Sequence, residues 1–344
     1  MKAAQIHAHG GIDRLRYVDV DEPQLHCPSD VIVKLAAAGV NRIDVAIRAG
    51  ANGRSICFPR IPGADGAGTV FSAGAAAGNL RAGDPVCIYP IVGCGYCRFC
   101  AAQQESLCGK SRLLGERGDG TYAEFVRVPA GNCFPLPPEF SFEQAAAFPL
   151  VYLTAWRMLI TKADLKPGES VLIIGAGGGI ATAALQIAAG TRARVIVASD
   201  NERKLLAARE LGADHTVTYS AGLAKAVRGL TQKRGVEVVV NSVAGPTWEP
   251  SIASLARGGR LVTCGAIAGP APKTDLRRVF WNHLGIFAAH SGTREEFLQV
   301  LNFFARAKRR PILDRIFSLS DARSAHRRLE ERKQFGKIVL RMDA

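Results

Sequence analysis

The chain has no uninterrupted apolar run long enough to cross a bilayer, which excludes a helical membrane span. Its first residues, including Lys2, His7, His9, Asp13 and Arg14, contain no apolar core of the kind a secretory leader needs, so a cytosolic protein without a membrane partner is expected. The β-rich N-terminal stretch has no internal repeat or low-complexity tract, and the length of 344 residues suits two domains, each able to bury a core. Acidic residues are scarce: 30 Asp and Glu face 44 Lys and Arg, giving a net charge of +14. The densest basic clusters are Arg306, Lys308, Arg309 and Arg310, then Arg327, Arg328, Arg332 and Lys333. Both lie in helix-like segments with interspersed acids such as Glu330 and Glu331, and neither matches a nucleic-acid module. The expected reading is a solvated face, part of it serving an anionic cofactor or substrate, with no nucleic acid as partner.

Glycine is plentiful, at 36 residues, and its densest use organises the chain. Residues 171–174 are four bulky apolar side chains, read as a buried parallel strand. Gly175, Gly177, Gly178 and Gly179 make a turn, and an alanine-rich pattern through Ala189 continues as a helix. Strand, glycine turn and helix open a dinucleotide-binding fold, in which bare backbone approaches a pyrophosphate at a helix N-terminus. An ordinary glycine-rich turn has the same pattern, so support must come from the residues beyond Ala189. With Gly175 and Gly177 as the first two motif positions the third falls on Ile180; with one more residue in the turn it falls on Ala181. Residues 194–198 read as a second strand ending at Ser199 and Asp200, 202–211 as a helix, and 236–240 and 259–264 as further strands. This alternation predicts a parallel, doubly wound α/β sheet. Asp200 stands where an acidic residue accepts hydrogen bonds from the adenosine ribose.

Residues 1 to about 70 alternate short apolar runs with Gly, Pro and Asp, which predicts small antiparallel β structure, with strands at 18–20, 31–35, 68–71 and 86–89. Residues 120–128 read as another strand, Ser141-x-x-Gln144 as a capping box, and 152–162 as a helix. A helix is expected at 294–307, and a strand at 338–340 that rejoins the N-terminal domain. Cys94, Cys97, Cys100 and Cys108 are spaced C-x2-C-x2-C-x7-C, four thiolates able to enclose a tetrahedral ion. Such closed sulfur sites are structural, because no position is left for water. Disulfides fit a cytosolic chain poorly. An iron–sulfur cluster shares the C-x2-C-x2-C spacing, but Gly109 replaces the proline that comes after the fourth cysteine in ferredoxins. One structural zinc is the expectation. Cysteines 27, 57, 87, 133 and 264 are expected to be small buried apolar residues.

A β-rich start, a four-cysteine lobe, a dinucleotide-binding unit and a returning tail together resemble the medium-chain dehydrogenase/reductase family, which includes zinc alcohol dehydrogenases and quinone reductases. The carriers are AGVNRIDVAIRAG at 38–50, PGADGAG at 62–68, the cysteine lobe, PLVYLTAW at 149–156, the glycine turn and FGKIVL at 335–340. The resemblance implies a GroES-like domain over 1–151 and 288–344, with the zinc lobe at 93–109. A Rossmann domain would span 152–287, with catalysis in the cleft between the two. It also shows what is missing. The positions of the family's three catalytic-zinc ligands carry Asn41, Ala64 and Leu150, and its proton-relay positions carry Ile43 and Ala46. None of these supplies a thiolate or imidazole, and His283 and His290 have no ligand spacing.

What remains is hydride transfer from a nicotinamide to an activated double bond of a quinone, enone or enoyl thioester, without catalytic zinc. Asn41 is the candidate donor to an enolate-like oxygen. Asp44 and Tyr152 could orient groups or relay a proton, and Asp44 could instead cap its helix or pair with Arg42 or Arg48. By resemblance, Thr154 packs near the nicotinamide, and Arg42 and Lys337 face the pyrophosphate. Ser199 stands at the ribose-binding position and leaves room for a 2′-phosphate, which Arg203 and Lys204 could meet, whereas Asp200 would repel it. The balance favours NADP(H) over NAD(H). An alcohol dehydrogenase using another base, and a nicotinamide-binding or redox-sensing protein without catalysis, are the alternatives. Relatives imply a homodimer or homotetramer acting on a small molecule.

Overall fold

The computed structural model describes residues 1–51, 53, 56–219 and 222–342. They form two compact units, one of residues 1–150 with 293–344 and one of residues 151–292. Among the described residues no helix is long and apolar enough to cross a membrane.

The second unit holds a six-stranded sheet, all parallel, in the spatial order His215–Thr218, Arg194–Ser199, Ser170–Ile174, Val236–Asn241, Leu255–Thr263, Gly285–Ala288. Numbered along the chain this is 3-2-1-4-5-6, the doubly wound Rossmann order, which reverses direction beside Ser170–Ile174. Val171, Leu172 and Ile173 are fully buried, because helices cover both faces of such a sheet and leave no polar side to alternate with. The strands expected at 171–174, 194–198, 236–240 and 259–264 are therefore present almost as read. His215–Thr218 and Gly285–Ala288 were not legible, being short, and half-buried or exposed along the sheet's two edges.

The first unit is built on a seven-stranded sheet in the order Leu313–Ser318, Lys337–Arg341, Asp30–Val40, Asp65–Ala73, Pro85–Ile88, Cys133–Pro135, with Phe125–Pro129 also pairing with Asp30–Val40. Its tail strand lies antiparallel to Asp30–Val40, matching Ile338 to Val40. The strand expected over 120–128 is shorter. Residues 120–122 instead bond to residues 61–63, and Tyr122 O accepts from Ala4 N, so regular pairing starts at Phe125. The capping box is made as expected: Gln144 N donates to Ser141 Oγ at 3.3 Å and Ser141 N to Gln144 Oε1 at 3.1 Å. The helix expected over 152–162 begins earlier, as Pro149–Trp156, and continues through a π-wound turn at Arg157–Lys162.

Two of the five scattered cysteines depart from the expectation. Cys87 and Cys133 are buried and Cys264 half-buried, but Cys27 and Cys57 are exposed. Both lie in loops, and the Cys27 backbone is fixed by its N–H to Asp30 Oδ2 rather than by its side chain.

Candidate functional site

In the first unit the chain leaves the Asp30–Val40 strand through extended Asn41 and enters the helix Arg42–Ala49, which ends at left-handed Gly50. Gly39, opposite Asp65 in the sheet, lets the two strands close: a Cβ there would lie 2.2 Å from Ala146 O and 2.9 Å from the Asp65 Cβ. Asp65 thus sits fully buried against Asn41. Its Oδ1 accepts from Leu150 N at 2.8 Å, and its Oδ2 from Asn41 Nδ2 at 2.8 Å and Lys337 Nζ at 3.0 Å. Lys337, only 2% exposed, also donates to Asn41 Oδ1 at 2.6 Å and Val40 O at 3.1 Å. These partners fix the Asn41 carboxamide, since the oxygen must face the ammonium and the nitrogen the carboxylate. One Asn41 amide hydrogen is left over.

Asp65, next in sequence to Ala64, thus joins Asn41 and Leu150, so residues at or beside the three positions aligned with zinc ligands meet here. The donor set does not fit zinc: a methyl, an isobutyl and an amide oxygen already bound to an ammonium cannot replace thiolate and imidazole, and the Asp65 carboxylate is taken up by Lys337 and two N–H groups. Lys337 contrasts with its expected role at a pyrophosphate. All three of its N–H donors are used inside this unit, so its charge serves Asp65 and Asn41. Asp65 was not singled out from the sequence, although it stands beside Ala64 in PGADGAG.

Asp44, fully buried, caps the helix through Asn41 N to Oδ2 at 2.7 Å and meets neither Arg42 nor Arg48 in an ion pair. The same Oδ2 accepts from Tyr122 OH at 3.2 Å, while Oδ1 is buried without a partner. Burial, opposed by the Asn41 N–H, pushes this carboxyl up to about 7. Arg48 turns the other way, to Gly10 O at 2.7 Å, His326 Nδ1 at 3.3 Å and Glu330. Tyr122 OH lies 3.3 Å from His326 Nε2, and burial with the nearby Arg48 pushes His326 down to about 3. Tyr122, Arg48 and His326 had no local signal, being 78, 38 and 204 or more residues from the groups they meet. Arg42 is half-buried at the helix start, its guanidinium disfavoured by burial and by Arg332.

The lobe at 93–109 brings the Sγ atoms of Cys94, Cys97, Cys100 and Cys108 within 4.8 Å of one another, with Cys94 to Cys100 at 3.9 Å. A tetrahedral zinc with bonds of about 2.3 Å needs sulfur edges of about 3.8 Å, so this set fits the ion. Among the described residues it is the one group of three or more His, Cys, Asp or Glu placed to hold a metal. The Tyr96 N–H draws the Cys94 thiol down to about 6, toward the ligating thiolate. Buried Glu105 ties the lobe to Arg294, at 3.2 Å, at the start of the helix Arg294–Arg306.

In the second unit Gly175 and Gly177 have φ of +96° and +81°, the left-handed region that favours glycine. Gly178 caps the helix Gly179–Gly190, whose first N–H groups lack intrahelical acceptors. A Cβ at Gly178 would have no neighbour nearer than 3.9 Å, an open cradle suited to a pyrophosphate. Ala181 is buried and Ile180 half-buried, so the small third motif residue that packs inward is Ala181. Ser199 ends its strand buried and accepts the Asn201 N–H, while Asp200 and Arg203 are exposed and Lys204 is half-buried. Thr154 is buried on the Pro149–Trp156 helix. Tyr152 is fully buried and donates to Gln186 Oε1 at 2.7 Å, so its hydroxyl joins two helices.

Residues 27–138 match the alcohol dehydrogenase GroES-like domain, and residues 179–306 the zinc-binding dehydrogenase family. The chain is 33% identical to an NAD-dependent alcohol dehydrogenase of Sulfolobus acidocaldarius, over 99% of this chain and 100% of that protein. It is 28% identical to a quinone oxidoreductase of Mus musculus, over 95% and 93%. The solved structure of an NAD-dependent alcohol dehydrogenase superposes with a TM-score of 0.95 at 38% identity, covering both chains fully.

Proposed function

The chain is an oxidoreductase of the medium-chain dehydrogenase/reductase family, and from that premise we propose that it reduces activated double bonds, in quinones, enones or enoyl thioesters, without a catalytic zinc. The observation that carries this reading is the Asn41, Asp65 and Lys337 knot, whose carboxylate and amide oxygen are already committed to an ammonium and to N–H groups rather than free to hold a metal. A bound reduced nicotinamide would supply the hydride, held over the glycine turn at Gly175, Gly177, Gly178 and Gly179. Asn41, its carboxamide locked by Lys337 and Asp65, keeps one N–H to donate as negative charge builds on the acceptor oxygen. Donation from a locked amide needs no reorganisation at that moment, and the acceptor's own carbonyl does the work of a Lewis acid.

For the cofactor we assign NADP(H) ahead of NAD(H). Uncharged Ser199 ends the strand, and Arg203 and Lys204 stand in the first turn of the helix Glu202–Glu210, two cations against the exposed Asp200 and Glu202. The relatives named for NAD support the opposite choice. The ratio of kcat/KM for NADPH and NADH decides it, and a preference for NADH rejects the assignment.

The test monitors nicotinamide oxidation with quinones, enones and enoyl thioesters, beside oxidation of primary alcohols and a metal count. Turnover with the activated acceptors and one zinc per chain are expected. Oxidation of simple alcohols at comparable rates would instead support the alcohol dehydrogenase reading that the relatives' names favour, and two zincs per chain would reject the metal assignment.

We also propose that two copies pair through the free edge strand Gly285–Ala288. Ile286 and Phe287 there, and Leu276, Phe280 and Trp281 on the preceding helix, are exposed, an apolar edge that a soluble chain has to cover. Phe287→Glu should convert a dimer to monomers in sedimentation. An unchanged mass for the variant, or a monomeric wild type, refutes the pairing.

A further inference from the structure

Behind Asn41 runs a buried chain of polar groups that the proposed reaction does not use: Asp44, Tyr122, His326, Arg48 and, at its half-exposed end, Glu330. Its polarity can be assigned. Arg48 only donates, so Nδ1 of His326 accepts. The imidazole is neutral, so its hydrogen is on Nε2 and faces the Tyr122 oxygen. Tyr122 then directs its own hydrogen to Asp44 Oδ2, which also receives the Asn41 N–H.

The two oxygens of Asp44 are thereby unequal. Oδ2 accepts twice, so a proton taken up by this carboxyl goes to the partnerless Oδ1 and both hydrogen bonds survive. Asp44 can change charge without changing the geometry around Asn41. The charged and titratable groups facing it are Asp65 from the strand Asp65–Ala73, Lys337 from the tail strand, Tyr122 from the loop before Phe125–Pro129, and beyond Tyr122, His326 and Arg48. Asp65 and Lys337 already form a buried pair, and a second carboxylate has no cation of its own within it.

We propose that Asp44 is a positioning residue whose charge controls the step served by Asn41: neutral Asp44 gives the active form, and ionised Asp44 opposes it. Resting on the role of Asn41 proposed above, this is a consequence of where charge moves. Hydride transfer puts negative charge on the acceptor oxygen beside a cluster that is neutral with Asp44 protonated and carries one uncompensated negative charge with Asp44 ionised. In a low-dielectric surrounding that difference acts over several ångströms. Burial holds the carboxyl up, and Tyr122, by donating to Oδ2 beside the Asn41 N–H, favours the anion and lowers the pH at which the change occurs.

The experiment is the pH profile of kcat for nicotinamide oxidation with a quinone and an enone. Wild type should lose activity above a pH of about 7, approaching tenfold per unit. Asp44→Asn, uncharged and of the same shape, should show no such fall. Tyr122→Phe, which removes a donor to the anion, should move the fall to higher pH. Either outcome, an Asp44→Asn profile that still falls like wild type or a Tyr122→Phe profile that does not move, overturns the proposal. Tyr122→Phe alone decides it should Asp44→Asn not fold. Absence of turnover with both acceptors overturns the role of Asn41 and this proposal together, whereas turnover with an unaltered profile overturns only this one.

Discussion

Lys337→Met should destabilise the first unit by about 3–5 kcal/mol, a fall in Tm on the order of 10 °C, because it strips a fully buried carboxylate of its cation. Asp65 would keep only the N–H groups of Leu150 and Asn41, and the Asn41 carboxamide would lose the donor that fixes its oxygen. Two signatures separate this from lost packing. Adding Asp65→Asn to Lys337→Met should recover much of the loss, since removing both charges costs less than removing one. The gap between Lys337→Met and wild type should also narrow on acidification, as the stranded carboxylate can take a proton. Urea or thermal unfolding of the two single variants and the double variant measures both. Strictly additive losses, unchanged by pH, would mean that the pair contributes only through its volume.

Gly178→Val is expected to weaken nicotinamide binding by roughly 10- to 100-fold, the overpacking cost of about 1–3 kcal/mol, at little cost to the fold. Gly178 has φ −73° and ψ 152°, which valine adopts readily, and the nearest atom to an added Cβ is 3.9 Å away. The protein itself should feel only a poorer helix cap, about 1 kcal/mol. Gly175→Val makes the contrast. At φ +96°, and with Val243 Cγ2 3.3 Å and Tyr219 OH 3.4 Å from the new Cβ, it strains the unit before any ligand arrives. Fluorescence titration of NADPH, paired with Tm, distinguishes the two. Wild-type affinity in Gly178→Val would move the pyrophosphate away from this turn.

The second unit was legible because its physics is local. A strand covered on both faces is written as an unbroken apolar run, and 171–174 and 195–198 state it directly. The zinc lobe was legible for the same reason, its four ligands lying within fifteen residues of one another. The first unit's site was only half legible. Asn41, Asp44 and Lys337 stand in recognisable motifs, but what each touches is decided by residues far along the chain. Lys337 looked like a surface cation for a phosphate, and nothing near it shows that Asp65, 272 residues earlier, claims it. Tyr152 reads as a free phenol until the helix Gly179–Gly190 places Gln186 beneath it. His326 sits in an arginine-rich helix that predicts a solvated face, yet it is fully buried, because Arg48 and Tyr122 supply polar partners inside.

The tail strand also orders events during synthesis. Residues 151–292 are contiguous and can close their sheet as soon as they leave the ribosome, whereas Asp30–Val40 must wait for Lys337–Arg341 to dock alongside it. Until then the Asp65 carboxylate has no Lys337 beside it. A ribosome-stalled chain ending before Lys337 should thus present a protease-resistant half at 151–292 beside a digestible N-terminal half, and a resistant N-terminal half would show that its sheet closes without the tail strand.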